Sequence, residues 1–293
     1  MIPDHRCFFC FTRAFEKLIA KENITNEAKN NFIREIILLY HTNWDKLSAP
    51  EFSRELHYKL RNYTHNHDPY LKEKKESNDQ ATRMIPKLER IVRKSSNPFC
   101  TALKLAIAGN IIDFAANDTF NLQATIETAL ETEFAIDHSE QLEKEIRRAH
   151  SILYLGDNAG EIVLDKLFIE TINHPGLTFV VRGGPVINDA TMDDAEYTGM
   201  KEAADVISSG YDAASTIPEK SSKQFQEYFR NADVIISKGQ GNLEGLFHLN
   251  DKRIFFLLMV KCDVMAEFLK VEKGSQVVYN NACKKIYQGT FTD

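Results

Sequence analysis

Two oxygen-bearing side chains, Asp157 and Asn158, directly follow an apolar run in the segment SILYLGDNAGE. A third, Asp189, follows the next apolar run, in GGPVINDAT. Carboxylate and amide oxygens are ligands that suit Mg²⁺, Mn²⁺ and similar cations, which keep open positions for water or phosphate. Two carboxylates facing each other would repel without a cation between them. The three residues therefore form a candidate metal site.

A purely local role also explains Asp157 and Asn158, because both residue types favour turns and helix N-caps. Two lysines after other apolar runs favour the site instead. Lys238 stands in ISKGQGN, where glycines let backbone N–H groups approach an anion closely, and Lys261 follows RIFFLLMV. Lysine neutralises phosphate as a point charge, so the four segments together indicate a metal-plus-phosphate site.

The elements that must position these residues are predicted strands in the second half of the chain. The runs SILYLGD, LTFVVRG, DVISSG, DVIISKG, RIFFLLMV and SQVVYN are nearly all apolar, as expected for strands buried on both faces of a parallel sheet. They alternate with helical patterns, which predicts an α/β fold with an open, doubly wound sheet. Ligands of such sheets bind outside the carboxyl ends of the strands, where the candidate residues lie.

The first half of the chain is predicted to be helical throughout, because apolar residues recur there at spacings of three and four. Ser48 with Pro50, and Asn97 with Pro98, mark two helix starts. The segment IETALETEFAIDHSEQLEKEIRRAH continues the helical pattern. We place the boundary where the pattern changes, which gives a helical bundle domain over 1–147 and an α/β domain over 148–293.

Composition excludes several classes of protein. The net charge of −6 does not suit nucleic acid or an anionic membrane, although a local cation can still receive a phosphorylated small molecule. No apolar run is long enough to span a membrane, and the first residues lack a signal-peptide pattern. Five cysteines, an odd number, favour a reducing compartment. We expect a cytoplasmic protein, and nothing indicates its oligomeric state.

Several familiar enzyme motifs are absent from the sequence. GDNAGE lacks the three-glycine dinucleotide fingerprint, and no run matches a P-loop or the G-x-S-x-G nucleophile elbow. No histidine-rich pattern suggests a zinc hydrolase. With these motifs absent, the remaining candidate chemistry is a hard cation held by oxygen ligands, with lysines nearby.

Four segments in order, GDNAGEIVLD, GGPVINDATMDDA, KGQGNLEGL and LLMVKCDV, resemble the damage-control phosphatase family. This family is built on the acidic-residue-methyltransferase-like metal-binding domain. HDPYLKEKKESNDQA and NPFCTALKLAIAGNIIDF are similar to its N-terminal elements, and Cys7 with Cys10 in HRCFFC resemble its stand-alone microbial and archaeal branch. The resemblance spans nearly the whole chain.

The resemblance implies an N-terminal helical domain packed on a three-layer α/β/α Rossmann-like domain with a mostly parallel sheet. It also implies a divalent-metal-dependent phosphatase acting on phosphorylated small metabolites, such as sugar phosphates and phosphopantetheine derivatives, often damaged or surplus. The family's cation (manganese, cobalt, nickel or magnesium) would be held by Asp157, Asn158 and Asp189, which with Lys261 form the catalytic set. The residues implied to contact substrate are Glu161, Lys238, Gly239, Gln240, Gly241, Asn242 and Lys261.

Two departures from the eukaryotic pattern lie on the substrate side. KGQGNLEGL lacks the acidic residue and basic tail common there, and LMVKCDV lacks the Arg-Thr that precedes the lysine in some members. The substrate is therefore open. The role of Asp157 is open too: it could be a ligand, orient the attacking water or attack phosphorus, although the absence of a D-x-D motif weakens the last role.

Other polar residues are second-tier candidates. Asn110 and Asp113 lie one helical turn apart and could cap the pocket, as could Asn78, or they could form hydrogen bonds between helices. Glu161, Asp165 and Asp193 could form a second metal position, although solvation on a helix surface explains Asp165 equally well.

Cys7 and Cys10 have metal-ligand spacing, but a zinc site needs about four ligands. His5, Cys100 and Cys283 could complete such a site only through the fold. The segment FFCFTRAF is also typical of an ordinary helix core, so zinc or redox function is the less favoured interpretation.

Two rival functions come from other classes of protein. A non-catalytic metabolite-binding protein would share the anion site but would not need a cation with open positions. An S-adenosylmethionine-dependent carboxyl methyltransferase would want a glycine-rich loop after its first strand and an acidic residue at the end of its second. LGDNAGE has only two glycines, and the second strand ends on Arg182.

Overall fold

The computed structural model of the protein describes residues 3–110 and 119–283. Within these ranges, seven strands form one sheet in the order β1-β7-β6-β5-β2-β3-β4. Neighbouring strands are parallel except β6 and β7, so the predicted α/β fold with a mostly parallel sheet is confirmed. The strands are β1 (Ile136–Asp137), β2 (Ile152–Leu155), β3 (Leu177–Val181), β4 (Asp205–Ser208), β5 (Val234–Lys238), β6 (Ile254–Met259) and β7 (Gln276–Asn280).

Helices make up the first part of the chain and connect the strands in the second. Both predicted helix starts are confirmed: Ser48 and Glu51 form a capping box, and the Asn97 side chain accepts a hydrogen bond from the Cys100 backbone N at 3.0 Å. The helices are α1 (His5–Lys21), α2 (Asn26–Asn43), α3 (Ala49–Thr64), α4 (Leu71–Lys94), α5 (Pro98–Ala108), α6 (Thr119–Glu131), α7 (Ser139–Arg148), α8 (Glu161–Ile172), α9 (Met192–Tyr197), α10 (Lys223–Asn231), α11 (Gly239–Leu246) and α12 (Asp263–Leu269).

The helical pattern predicted over 126–150 is interrupted by a strand, so the prediction of helix throughout is wrong there. Helix α6 ends at Glu131, and the two-residue strand β1 intervenes before α7. The Asp137 carboxylate accepts a hydrogen bond from the Ser139 backbone N at 2.8 Å, a local bond that favours a new helix start over continuation. Ile136 is buried where β1 pairs with β7 at the edge of the sheet. A strand of two residues has no periodicity for a pattern to detect.

The six runs predicted as strands all form strands, and the central one is β2. Its residues alternate between two hydrophobic clusters. Ile152 and Tyr154 face a cluster with residues of α4, α5 and α8, whereas Leu153 and Leu155 face a cluster with residues of α10, α11 and α12. Helical layers therefore cover both faces of the sheet.

The strand order reverses between β2 and β5. The chain runs from β2 outward to β3 and β4, then returns to place β5 on the other side of β2. Parallel strands that diverge in this way leave a crevice at their carboxyl ends, the usual ligand position in open α/β sheets. Asp157 follows β2, and Lys238 is the last residue of β5.

The hydrophobic clusters divide the helices differently from the predicted domains. Helices α1, α2 and α3 share a cluster of their own, which includes Phe15, Phe32 and Phe52. Helices α4, α5 and α7 pack into the same cluster as the sheet. The predicted boundary between residues 147 and 148 therefore does not coincide with a boundary between cores. Among the described residues, no helix has the length and apolar character needed to cross a membrane.

Candidate metal and phosphate site

A short backbone pairing brings the three predicted metal ligands together. Asn158 and Asp189 form an isolated antiparallel bridge. The Ala190 backbone N donates to the Asp157 carbonyl at 2.7 Å, and the Ala159 N donates to the Asn188 carbonyl at 2.8 Å. Asp157, Asn158 and Asp189 therefore lie side by side at the carboxyl end of the sheet. No pattern in the sequence predicts this pairing of two loops.

Two asparagine amides and two carboxylates form a closed ring of hydrogen bonds at the mouth of β2. Asn110 Nδ2 donates to Asp157 Oδ2 at 2.7 Å and to Glu161 Oε2 at 2.8 Å. Asn158 Nδ2 donates to the same two oxygens at 2.9 and 3.0 Å. Because both nitrogens are used in this way, Oδ1 of Asn158 is the atom that could bind a cation. Oδ1 of Asn110 is buried and has no hydrogen-bond partner in the described ranges.

Of the second-tier residues, the structure brings Asn110 into the site from the end of α5. Asn78 on α4 lies behind it: its Oδ1 accepts from the Gly160 backbone N at 2.7 Å, and its Nδ2 donates to Asp194 at 3.0 Å. Asn78 therefore ties α4 to the start of α8 and braces the loop that carries Asp157. Asp113 lies outside the described residues.

Arg182, which follows β3, is a central residue of the site that sequence reasoning missed. Its Nε donates to Asp189 Oδ2 at 2.5 Å, and its Nη2 donates to Asp157 Oδ1 at 3.2 Å. Nη1 donates to Asn242 Oδ1 at 3.0 Å and to Thr216 Oγ1 at 3.3 Å. Its side chain is only 3% exposed. The available signal was its place directly after a strand, beside the predicted ligands.

Lys238 lies elsewhere than predicted. It was expected at the rim of the sheet, where it would meet phosphate, but it is fully buried. Its ammonium group donates to Glu161 at 2.6 Å, Asp165 at 2.5 Å and the Ala106 carbonyl at 2.9 Å, which uses its three donors. Burial of an ammonium group requires such partners, and two carboxylates on consecutive turns of α8 supply them.

Asp165 is a buried residue and not a solvated one on a helix surface, so that interpretation is wrong. It is fully buried, and it also accepts a hydrogen bond from the Tyr154 hydroxyl at 2.7 Å. Asp193 is exposed on α9. The position between Glu161 and Asp165, which was considered for a second cation, holds the Lys238 ammonium group.

The predicted glycine loop KGQGN is the first turn of α11. Gly241 packs against the Ala214 carbonyl. Asn242 is buried, and its Nδ2 donates to the Lys238 carbonyl at 2.8 Å. Gln240 Oε1 accepts from the Lys261 backbone N at 3.2 Å. In this turn, therefore, Asn242 supports the end of β5, and Gln240 holds the backbone at Lys261.

Lys261 is the exposed cation of the predicted set. Burial acts to raise the pKa values of Asp157, Glu161 and Asp189, and the positive charge of Lys261 opposes that effect at all three. A lysine that is exposed and close to buried carboxylates is well placed to meet an incoming anion.

Burial and mutual repulsion shift the pKa values of the carboxylates in the site. Burial raises the pKa of Asp157, with the Glu161 charge adding to the effect and Arg182 opposing it. Burial raises the pKa of Asp189 to about 7 in spite of Arg182. For Glu161 burial acts upward, but the Lys238 ammonium group outweighs it and the pKa is lowered. At the mouth of the site, therefore, burial outweighs the positive charge of Arg182 for both Asp157 and Asp189.

The residues present fit a divalent cation. Four buried carboxylates (Asp157, Glu161, Asp165 and Asp189) surround two buried cationic side chains (Arg182 and Lys238), an excess of two negative charges when all are ionised. The described residues contain no group of three or more His, Cys, Asp or Glu side chains arranged to hold a metal. Beside Asp157 and Asp189, the side-chain oxygen of Asn158 is a donor of the kind that hard cations take, so these three residues could hold such a cation.

The C-x-x-C pair lies on α1, with Cys7 half-buried and Cys10 exposed. Burial raises the pKa of the Cys7 thiol to about 11, which opposes the thiolate form that metal binding and redox chemistry need. Neither cysteine belongs to a metal-binding group within the described part of the chain.

Position 239 must be glycine because the Asp157 carboxylate leaves no room for a side chain there. The φ of Gly239 is +79°, and a Cβ built on it would lie 2.0 Å from Asp157 Oδ2. We expect Gly239→Ala to lower the free energy of unfolding by roughly 1–3 kcal/mol through backbone strain, and also to displace the carboxylate and weaken cation binding. Urea unfolding and calorimetric titration with Mn²⁺ would measure the two effects.

Gly274 provides the matched control. Its φ is +89°, but a Cβ there would meet nothing within 4 Å. Gly274→Ala should show comparable strain with unchanged cation affinity. Equal cation affinity in the two variants would contradict the role assigned to the space beside Asp157.

The chain is similar to known proteins along most of its length. A family model described as the damage-control phosphatase ARMT1-like domain matches residues 4–277. A damage-control phosphatase from Pyrococcus horikoshii is 33% identical over 289 residues, covering 97% of this chain and 100% of that relative. A damage-control phosphatase from Archaeoglobus fulgidus is 33% identical over 217 residues, covering 72% of this chain and 75% of its own. The crystal structure of a DUF89 family protein from Pyrococcus horikoshii matches with a TM-score of 0.87 at 33% identity, covering 96% of this chain and 99% of that one.

Proposed function

The chain belongs to the damage-control phosphatase ARMT1-like family, and on that premise we propose that it is a divalent-metal-dependent phosphatase of small metabolites. The family resemblance of the four ordered motifs is thereby confirmed. The branch indicated by Cys7 and Cys10 stays a prediction. The proposed substrates are phosphomonoesters such as sugar phosphates or phosphopantetheine-like compounds, including damaged ones.

The observation that carries the proposal is the uncompensated negative charge around Asp157, Asn158 and Asp189. Asp157 and Asp189 are buried at the switch point of the sheet with raised pKa values, although Arg182 contacts both. A stable protein rarely keeps buried carboxylates short of positive charge without a functional reason. A divalent cation bound by these two carboxylates and the Asn158 oxygen would balance the charge. Manganese, cobalt, nickel and magnesium all suit such a donor set.

When bound, the cation supplies a Lewis acid for a phosphoryl oxygen and lowers the pKa of a water molecule. The other contributions come from the chain. Lys261 neutralises charge on the phosphate from the solvent side, and the buried walls of the site exclude bulk water, which strengthens these interactions. Phosphoryl transfer needs charge neutralisation and positioning more than covalent help.

The hydrogen bonds of Asp157 favour the role of ligand over that of nucleophile. Its Oδ2 accepts from Asn110 and Asn158, and its Oδ1 accepts from Arg182. Donors on both oxygens withdraw the electron density that attack on phosphorus would use. The attacking group we propose is therefore water.

The burial of Lys238 changes the substrate side of the proposal. Because its ammonium group is used by Glu161, Asp165 and the Ala106 carbonyl, we propose that it supports the site from beneath. Direct contact with phosphate falls to Lys261, held through its backbone by Gln240. The proposed partner is a small phosphorylated metabolite, and neither nucleic acid nor a membrane is invoked.

The two rival functions have less support. In a methyltransferase of this fold the strand after the cofactor loop, here β3, should end on an acidic residue that holds the cofactor ribose, but Arg182 stands there and its guanidinium group is used internally. A non-catalytic binding protein would explain Lys261. Such a protein could also bind a cation, but it would not require one with open positions for water and phosphate.

The experiment that tests the proposed function is phosphate release by metal-stripped protein. We would supply Mn²⁺, Co²⁺, Ni²⁺ or Mg²⁺ in turn with a panel of phosphorylated metabolites. Release that requires a cation and is lost in Asp189→Asn is the expected result. Cation and metabolite binding without any release would replace the phosphatase with a binding protein.

A further inference from the structure

We propose that Arg182 is a positioning residue that holds the two metal-binding carboxylates at a fixed separation before the cation arrives. This inference rests on the proposed function, because it assumes that Asp157 and Asp189 bind a cation. It assigns a role to a residue outside the three ligands and outside the lysines that face substrate.

The guanidinium group lies between the two carboxylates and contacts both. It reaches Asp189 through Nε at 2.5 Å and Asp157 through Nη2 at 3.2 Å. Arginine presents its donors in a rigid planar fork, so the spacing of its nitrogens fixes the spacing of the oxygens that it bonds. A single ammonium group could not impose that spacing.

The fork is itself anchored on the side away from the carboxylates. Nη1 donates to Asn242 at 3.0 Å and to Thr216 Oγ1 at 3.3 Å. Asn242 Oδ1 also accepts from the Thr216 backbone N at 2.7 Å, and its Nδ2 donates to the Lys238 carbonyl at 2.8 Å. The guanidinium group is therefore tied to the end of β5 and cannot follow one carboxylate at the expense of the other.

The consequence is a preformed pair of ligands. Asp157 and Asp189 leave different strands, and without a cation they would repel each other and separate or take up a proton. Arg182 offsets part of this repulsion while leaving the site short of positive charge, so a divalent cation is still attracted. Removal of partners that orient metal ligands typically costs about 10–100-fold in metal affinity.

The test is calorimetric titration of metal-stripped protein with Mn²⁺, comparing the unmodified chain with Arg182→Met and Arg182→Lys. We expect both variants to bind Mn²⁺ about 10–100-fold more weakly, because lysine restores the charge but not the fork. Thr216→Val, which removes one anchor and keeps the side-chain shape, should weaken binding by a few-fold, about the share of one long hydrogen bond. This variant tests the inference even if the arginine variants fail to fold.

Arg253→Lys is the matched control. Arg253 also makes several hydrogen bonds, to Asp251 and to the carbonyls of Phe229 and Ala232, but it is partly exposed and lies outside the site. It should lower thermal stability without changing Mn²⁺ affinity.

Each other outcome overturns the inference in a recognisable way. Tighter binding by Arg182→Met would make the arginine a competitor of the cation. Full recovery in Arg182→Lys would reduce its role to charge, and unchanged affinity in every variant would remove the role altogether. Absence of Mn²⁺ binding by the unmodified chain would overturn the proposed metal site, and the arginine's role with it.

Discussion

Asp157→Asn should reduce cation-dependent phosphate release by on the order of 10³-fold while the chain still folds. The substitution removes one of the two carboxylates that would hold the cation. It also places an NH₂ group where Asp157 accepts hydrogen bonds from Asn110, Asn158 and Arg182. One of these donors must then face another donor. Phosphate release measured beside Mn²⁺ titration would show both losses, and far-ultraviolet circular dichroism would report the fold.

Asp193→Asn is the control for this prediction. Asp193 is a carboxylate of the same family motif, but it is exposed on α9 and makes no part of the ring of hydrogen bonds described above. Its variant should keep activity within about two-fold, since surface substitutions away from such features have small effects. Cation-dependent activity that survives in Asp157→Asn would contradict the assignment of Asp157 as a ligand.

Lys238→Met should lower the free energy of unfolding by about 3–5 kcal/mol at neutral pH. This is the cost of leaving buried carboxylates without the ammonium group that balances their charge. Glu161 and Asp165 are fully buried and both contact the ammonium group, which methionine cannot replace. Chemical denaturation at pH 7 would measure the loss. A deficit of the size typical of a surface pair would contradict the buried network.

The deficit in Lys238→Met should depend on pH, with a definite sign. Burial already raises the pKa of Asp165 to about 7 in spite of Lys238, and loss of the lysine raises it further. A carboxyl group with a raised folded pKa favours folding below its unfolded pKa, and that contribution is lost as the pH rises through the folded value. The variant should therefore be closer to the unmodified chain at pH 5 than at pH 8.

Lys59→Met provides the comparison at the surface. Lys59 pairs with Glu35 at 2.7 Å, but both side chains are partly exposed. Its loss should cost no more than about 1 kcal/mol and should depend little on pH. The contrast between the two lysines isolates the effect of burial.

The fold was predictable where local pattern and tertiary environment agree. Strands such as β2 and β6 are buried on both faces, so their apolar runs identified them, and caps such as Asn97 marked helix starts. The pattern failed at β1, which exists because β7 offers it a partner. A strand of two residues is specified by its neighbour in space and not by its own sequence.

The adjacency of the candidate residues was predictable where they follow strands at the switch point, because topology alone brings strand ends together. Asp157, Asn158 and Asp189 are adjacent, as expected for a common ligand site. Asn110 was only a second-tier candidate because it arrives from a helix far away in sequence. Its position depends on how α5 packs against α8, which a single sequence does not state.

Arg182 and Lys238 show the limits of reasoning from residue type. From the sequence, a charged residue after a strand is interpreted as a surface group or as a ligand for substrate. The charges that it contacts become visible only when its burial is known. Both residues are buried among carboxylates, so their main electrostatic partners are internal. The sequence therefore predicted which edge of the sheet carries these charged residues, but not how deeply their side chains are buried.

Anomalous diffraction from a crystal of the protein soaked in Mn²⁺ would locate the cation directly. We expect a single strong peak at the carboxyl ends of β2 and β3, with oxygens of Asp157, Asn158 and Asp189 about 2.0–2.6 Å away. No peak at this edge, or a peak that contacts none of these side chains, would contradict it.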